Sequence, residues 1–240
     1  MQKNLSIWMG TLALLVACNH QPPISIPPEG QVFASSDTGL YTLELPTGKS
    51  HLIGNYTTGP MLDIALITAQ QDPNATEPVL YGVTESGLYQ IDQTTAQTEQ
   101  LKLEGFVPVN SLTATLSGEL VGAKGQDLYI IDLDTRVMKK LGSIPTQKWV
   151  SGDLVQWNSS LYVTLGAVDA PDTLASMTRS NGQVELNELG STGFREIFGL
   201  TEFKGILYGI TSRRELLQLN PKTGAGKKLA VLTFGGYGLQ

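Results

Sequence analysis

The sequence predicts an all-β chain: a β-propeller of five four-stranded blades, its ring closed by the C-terminal strand. Three observations lead there. A phrase of short strands and turns recurs five times at a period of about 42 residues, the length of a propeller blade. With 26 glycines and only 16% charged residues, the composition suits tight turns and short strands better than surface-charged helices. The body shows no sustained helical period.

The first strand of each phrase is Val32-Phe33-Ala34, Leu80-Tyr81-Gly82, Leu120-Val121-Gly122, Leu161-Tyr162-Val163 and Leu207-Tyr208-Gly209. The next strand runs 40–43, 88–91, 128–131, 174–177 and 216–219, at spacings of 48, 40, 46 and 42 residues. Polar turns follow: Pro46-Thr47-Gly48, Gln93-Thr94-Thr95, Asp134-Thr135-Arg136, Asn181-Gly182 and Pro221-Lys222-Thr223-Gly224. Gly and Asn supply the positive φ of tight hairpins, and Pro presets φ. A third strand then ends near Gly54, Leu101, Gly142, Gly190 and Leu229. The innermost strand of a blade should precede the first one of its phrase. Candidates are 62–65, 110–113, 152–155 and 198–201. The N-terminal phrase has none of its own, so Tyr237-Gly238-Leu239 is expected to supply it and remove the free edge. The segment Val168–Thr173 interrupts the repeat, and Gln70–Pro78 reads as an exposed loop.

Phrases such as Leu80-Tyr81-Gly82-Val83-Thr84, Gly87-Leu88-Tyr89-Gln90-Ile91-Asp92 and Ile197-Phe198-Gly199-Leu200-Thr201 resemble the extracytoplasmic bacterial propeller repeats of the NHL, YncE-like and quinoprotein-like type. The resemblance covers about residues 30 to 240 and implies a fold, not an activity. The tryptophan-docking motifs of quinone propellers and the Trp-Asp signature of WD40 blades are not evident, so no cofactor is implied.

Ahead of the body, Lys3 and an apolar run from Ile7 to Val16 form a signal-like segment, too short to span a bilayer. It ends in Leu15-Val16-Ala17-Cys18, which resembles the lipobox of bacterial lipoproteins. The resemblance implies a signal peptide over 1–17, cleavage before Cys18, and lipidation of its thiol. Two or more acyl chains anchor stably, at about 0.8 kcal/mol per buried methylene. Asn19 stands where an Asp signals inner-membrane retention. The expected place is therefore the cell envelope: the outer membrane of a diderm host, otherwise the outer face of the cytoplasmic membrane. Residues 18–30 carry Pro22, Pro23, Pro27 and Pro28 and read as an extended spacer, leaving 31–240 as the propeller.

A net charge of -6 without a basic run gives no footprint for nucleic acid or anionic lipid. Cys18 is the lone cysteine and His20 and His51 the only histidines, so no intramolecular disulfide and no cysteine- or histidine-rich metal site is expected. His51 follows Ser50 on a predicted outer strand; adjacent side chains there point to opposite faces and form no dyad. Gly224-Ala225-Gly226-Lys227-Lys228 lacks both the earlier glycine and the Ser/Thr of a phosphate loop and reads as a hairpin turn. Arg213-Arg214 reads as a solvated turn.

The inner strands hold the remaining candidates. Asp63 and Asp153 occupy one equivalent position in two blades, where Ser111, Gly199 and Gly238 stand in the others. Facing a central channel, the two carboxylates have three readings. They serve acid/base glycoside cleavage, bind a hard cation, or satisfy backbone N–H groups. The three-carboxylate pattern of five-bladed glycosidases is not evident. Trp149 and Trp157 flank one inner strand, placed either to stack on a ligand or to pack between blades. Asp63, Asn110, Ser111, Asp153, Trp149 and Trp157 are thus the candidate ligand-binding set. The expected function is a lipid-anchored, non-enzymatic binding or scaffold module for an envelope protein or ligand. The alternative is a glycan hydrolase or lyase, or a sugar- or cation-binding protein, using the channel carboxylates.

Overall fold

The computed structural model describes residues 30–68, 71, 77–180 and 183–240. The signal segment 1–17, Cys18, the linker up to residue 29, most of the loop Gln70–Pro78 and the Asn181-Gly182 turn lie outside the described residues.

Five antiparallel four-stranded sheets form the blades. The first contains β1 (Gln31–Ser35), β2 (Gly39–Glu44) and β3 (Ser50–Asn55). The second is β4 (Asp63–Ile67), β5 (Val79–Thr84), β6 (Gly87–Ile91) and β7 (Thr98–Leu101). The third is β8 (Ser111–Ala114), β9 (Leu120–Lys124), β10 (Asp127–Asp132) and β11 (Val137–Ser143). The fourth is β12 (Trp149–Trp157), β13 (Ser160–Gly166), β14 (Thr173–Ser180) and β15 (Gln183–Ser191). The fifth is β16 (Ile197–Phe203), β17 (Ile206–Thr211), β18 (Glu215–Leu219) and β19 (Gly226–Val231). The last strand, β20 (Gly238–Leu239), returns to pair with β1, Leu239 opposite Ala34 and Gly238 opposite Ser35. The predicted five-bladed ring, closed by the C-terminal strand, is therefore what forms.

Strand periodicity explains why the blades pack as they do. Successive side chains point to opposite sheet faces, and each blade is covered on both faces by its neighbours. Val32 enters the seam with the fifth blade, beside Tyr208, Ile210 and Leu216. The adjacent Phe33 enters the seam with the second, beside Ile64 and Leu80. The other three seams repeat this arrangement, so the core is five wedges between blades rather than one centre. Tyr41 stacks on Phe234 at 4.0 Å in the closing seam. The outermost strands are half-exposed, and His51 on β3 faces solvent. A register shift recurs at Leu40/Tyr41, Leu128/Tyr129, Leu174/Ala175 and Leu216/Leu217, the same place in four blades. Such bulges increase local twist, which an outer strand of a wedge-shaped blade needs.

Candidate functional site

The inner strands β4, β8, β12, β16 and β20 leave one edge unpaired, facing the axis. Their registers place Asp63, Ser111, Gly199 and Gly238 opposite Val83, Ala123, Ile210 and Ser35, while Asp153 stands in the register irregularity between Val150 and Leu154, next to the Leu154–Val163 pair. Asp63 Oδ1 accepts a hydrogen bond from Ile64 N at 2.7 Å, and its Oδ2 accepts one from Leu112 N at 2.6 Å. Asp153 Oδ1 accepts from Leu154 N at 2.5 Å, and its Oδ2 from Leu200 N. Each carboxyl thus ties its own inner strand to that of the next blade. Four edge amides that burial would otherwise strand are satisfied this way. Both aspartates are wholly buried.

The two carboxyls also face each other across the axis, near enough for each to shift the other's titration. Two ionised carboxylates repel, so their approach favours the protonated form of one of them. Burial raises both groups well above the usual carboxylate range; for Asp63 the facing charge of Asp153 adds to it, while the amide bonds act the other way. Both shifts run in the direction expected of two acids that share one proton, which the pH dependence below tests. Glycines make the room: a Cβ on Gly238 would meet Asp63 Oδ1 at 2.6 Å. Ser111 Oγ is buried with no partner. Asn110 donates through Nδ2 to Val150 O at 3.3 Å, while its Oδ1 is buried and unpaired. Both carboxyls are wholly buried and committed to backbone amides, whereas the acids of glycosidases stand about 5 to 9.5 Å apart on either side of a scissile bond. Among the described residues no group of three or more His, Cys, Asp or Glu is placed to hold a metal ion.

The pair carries a pH signature. Its folded pKa values exceed the unfolded ones, so its contribution is complete below the unfolded carboxylate range and is lost as pH rises through the folded values. Asp92 is lowered chiefly by the Thr94 hydroxyl, Asp127 by Lys140, Asp132 by the Thr135 amide and Glu196 by Arg213. These four have the opposite dependence and lose stability as pH falls. Tyr56, which faces Asp63, hydrogen-bonds Ser35 Oγ at 2.8 Å, and burial pushes its hydroxyl up, so it stays protonated throughout. Melting temperature followed from about pH 4 upward is expected to show wild type losing stability relative to an Asp63→Asn/Asp153→Asn variant. A difference independent of pH would refute the shared proton.

The two tryptophans part company. Trp157 packs between the fourth and fifth blades, 5.5 Å from Tyr162. Trp149 begins the same strand, about 26 Å away at 3.3 Å per residue, and is 42% exposed on the rim. A Cβ on Gly166 would lie 2.7 Å from the indole Nε1 and 3.1 Å from Cε2. Glycine there lets the ring lie across β13. Beside it, between the β13–β14 loop and the segment entering β16, is a cleft of about 400 Å³ lined by Trp149, Ser151, Val168, Asp172, Arg195 and Phe198. Asp172 is only 3% exposed. Its Oδ2 accepts hydrogen bonds from Ser151 Oγ and Ile197 N, both at 2.8 Å, and burial raises its pKa. Arg195 is held by the Asp169 carbonyl and lies 3.7 Å from its carboxylate. Asp169 (φ 53°) and Glu196 (φ 58°) adopt the left-handed backbone that non-glycine residues rarely take. Glu196 is pinned by Ser212 Oγ and by Arg213 Nε at 3.2 Å. Arg213, read from sequence as solvated, therefore also braces this rim.

Sequence reasoning did not single out Asp172, Ser151 or Arg195. The available signal was the break in the repeat at Val168–Thr173. The structure brings Asp63, Ser111 and Asp153 together at the axis, holds Asn110 against Val150 of the fourth blade, and puts Trp149 on the rim and Trp157 in a seam. Cys18 is outside the described residues.

The chain is a five-bladed β-propeller. A chain in the crystal structure of a nidogen/laminin complex superposes with a TM-score of 0.55 at 10% identity, over 87% of this chain and 96% of that one. At that identity the likeness speaks to the fold alone. No family model and no curated protein matches the sequence.

Proposed function

We propose that this protein is an extracytoplasmic lipoprotein, anchored through Cys18, whose propeller is a non-enzymatic binding or scaffold module for an envelope protein or ligand. One observation carries the binding reading over a catalytic one. The channel carboxyls are fully buried and engaged with four backbone amides, whereas the rim at the fourth and fifth blades holds an open cleft with polar and apolar walls. The lipobox-like Leu15-Val16-Ala17-Cys18 and the proline-rich spacer support the anchor, and Asn19 favours the outer membrane in a diderm host.

Two measurements test this. Cys18→Ser is expected to move the protein from the membrane to the soluble fraction and to abolish incorporation of labelled palmitate; unchanged membrane association would overturn the anchor. For the binding reading, purified protein is incubated with envelope glycans, and products are sought by mass spectrometry. Turnover that disappears in the Asp63→Asn/Asp153→Asn variant would replace the binding module by a hydrolase or lyase.

A further inference from the structure

Resting on the binding-module reading, we propose that the rim cleft is a carbohydrate subsite: one pyranose ring stacks on Trp149, with its hydroxyls bonded to Asp172 Oδ1 and the Arg195 guanidinium. Three independent features converge on that chemistry. The first is a flat apolar platform. Gly166 lets the indole lie across the strand end, and the ring remains 42% exposed. The C–H face of a sugar ring matches such a surface in shape and polarity.

The second is an oriented acceptor. Asp172 is almost wholly buried, and Ser151 and the Ile197 amide fix one oxygen. Oδ1 accepts no hydrogen bond from the described residues. A carboxyl held this way has lost its freedom before the ligand arrives, which removes part of the cost of binding. The third is a donor. Arg195 spends only part of its five-donor fork on Asp169.

The charge balance selects a neutral polyhydroxyl ligand over a cation. Arg195 is matched by Asp169, Glu196 by Arg213 at 3.2 Å, and the nearby Lys148 by Glu188 at 2.6 Å. Among the described residues Asp172 is the one carboxyl of the cleft outside an ion pair; burial raises its pKa, while its two hydrogen bonds and the Arg195 charge act the other way. A basic side chain would meet the Arg195 guanidinium in the same space, and like charges there repel. Acceptor, donor and aromatic face within about 400 Å³ suit a single ring.

The test uses the intact protein in detergent on an array of hexose- and amino-sugar-containing oligosaccharides, beside an array of basic peptides. Hits are then titrated by calorimetry. The expected result is saturable binding of at least one saccharide, with affinity reduced about tenfold or more in Trp149→Ala and similarly in Asp172→Asn. Trp157→Phe, far from the cleft, is expected to bind as wild type. Gly166→Ala keeps every ligand-contacting side chain but lifts the indole, and is expected to weaken binding too. Circular dichroism confirms that each variant folds. If no saccharide binds, or if Trp149→Ala binds undiminished, the subsite is overturned. Trp149-dependent binding of basic peptides instead would also overturn it while leaving the binding-module reading standing; that reading falls separately, on glycan turnover.

Discussion

Replacing Asp63 with Ala is expected to lower the unfolding free energy by about 3 to 5 kcal/mol, the range for removing one member of a buried polar pair. The substitution strands two buried amide donors, Ile64 N and Leu112 N, at the axis edge. Each unsatisfied buried donor costs roughly 1 to 3 kcal/mol. It also removes the carboxyl that faces Asp153 and opens space beside Gly238, where an added Cβ would meet Asp63 Oδ1. Asp63→Asn should cost less, about 1 to 3 kcal/mol. Its amide nitrogen can donate to Asp153, but its single carbonyl oxygen cannot replace both carboxyl oxygens as acceptors for two amides. Asp153→Ala should resemble Asp63→Ala, because Asp153 spans Leu154 N and Leu200 N in the same way. Urea unfolding of the variants measures this. An Asp63→Ala protein within about 1 kcal/mol of wild type would show that the carboxyl is not a staple of the ring.

Deleting residues 237–240 is expected to prevent formation of a closed monomeric ring. Leu239 is wholly buried in the seam of the first and fifth blades. Its removal alone forfeits about 1.5 to 3 kcal/mol. Three backbone bonds go with it: Tyr237 N to Ser35 O at 2.8 Å, Gln240 N to Phe33 O at 2.8 Å and Phe33 N to Gln240 O at 2.6 Å. At about 0.5 to 1.5 kcal/mol each, the combined loss reaches the lower end of the total stability of a domain, about 5 kcal/mol. The deletion also exposes β1 as a free edge, a template for association with other chains. Gel filtration should find the truncated chain aggregated or misassembled. A peptide of residues 233–240 added in trans should restore part of the monomer. A truncated chain that elutes and melts as wild type would mean that four inner strands suffice.

The repeat made much of this molecule legible. Leu80-Tyr81-Gly82 and its four counterparts share a register because each must fill the same wedge between two blades. That regularity located the inner strands, the closing role of Tyr237-Gly238-Leu239 and the equivalence of Asp63 with Ser111, Asp153, Gly199 and Gly238. The rim was not legible in the same way. Asp172 and Arg195 lie in connections between strands, which no periodicity constrains, and they meet only because the fourth and fifth blades are neighbours in the ring.

The sequence by itself determined local backbone: strand, turn and strand again, since alternation and turn chemistry act over a few residues. It also determined what chemistry is on offer, including a lone cysteine in a lipobox-like setting and two acids at one blade position. Only the tertiary structure decided what those acids do. Asp63 and Asp153 belong to the second and fourth blades, ninety residues apart in the chain, and become partners only when ring closure brings their strands to a common axis. The same closure removes water, which raises the pKa of two ordinary carboxylates while they hold four amides. Trp149 and Trp157 differ for the same reason: one end of β12 reaches the rim and the other a seam, and burial follows from the closed ring rather than from the residue.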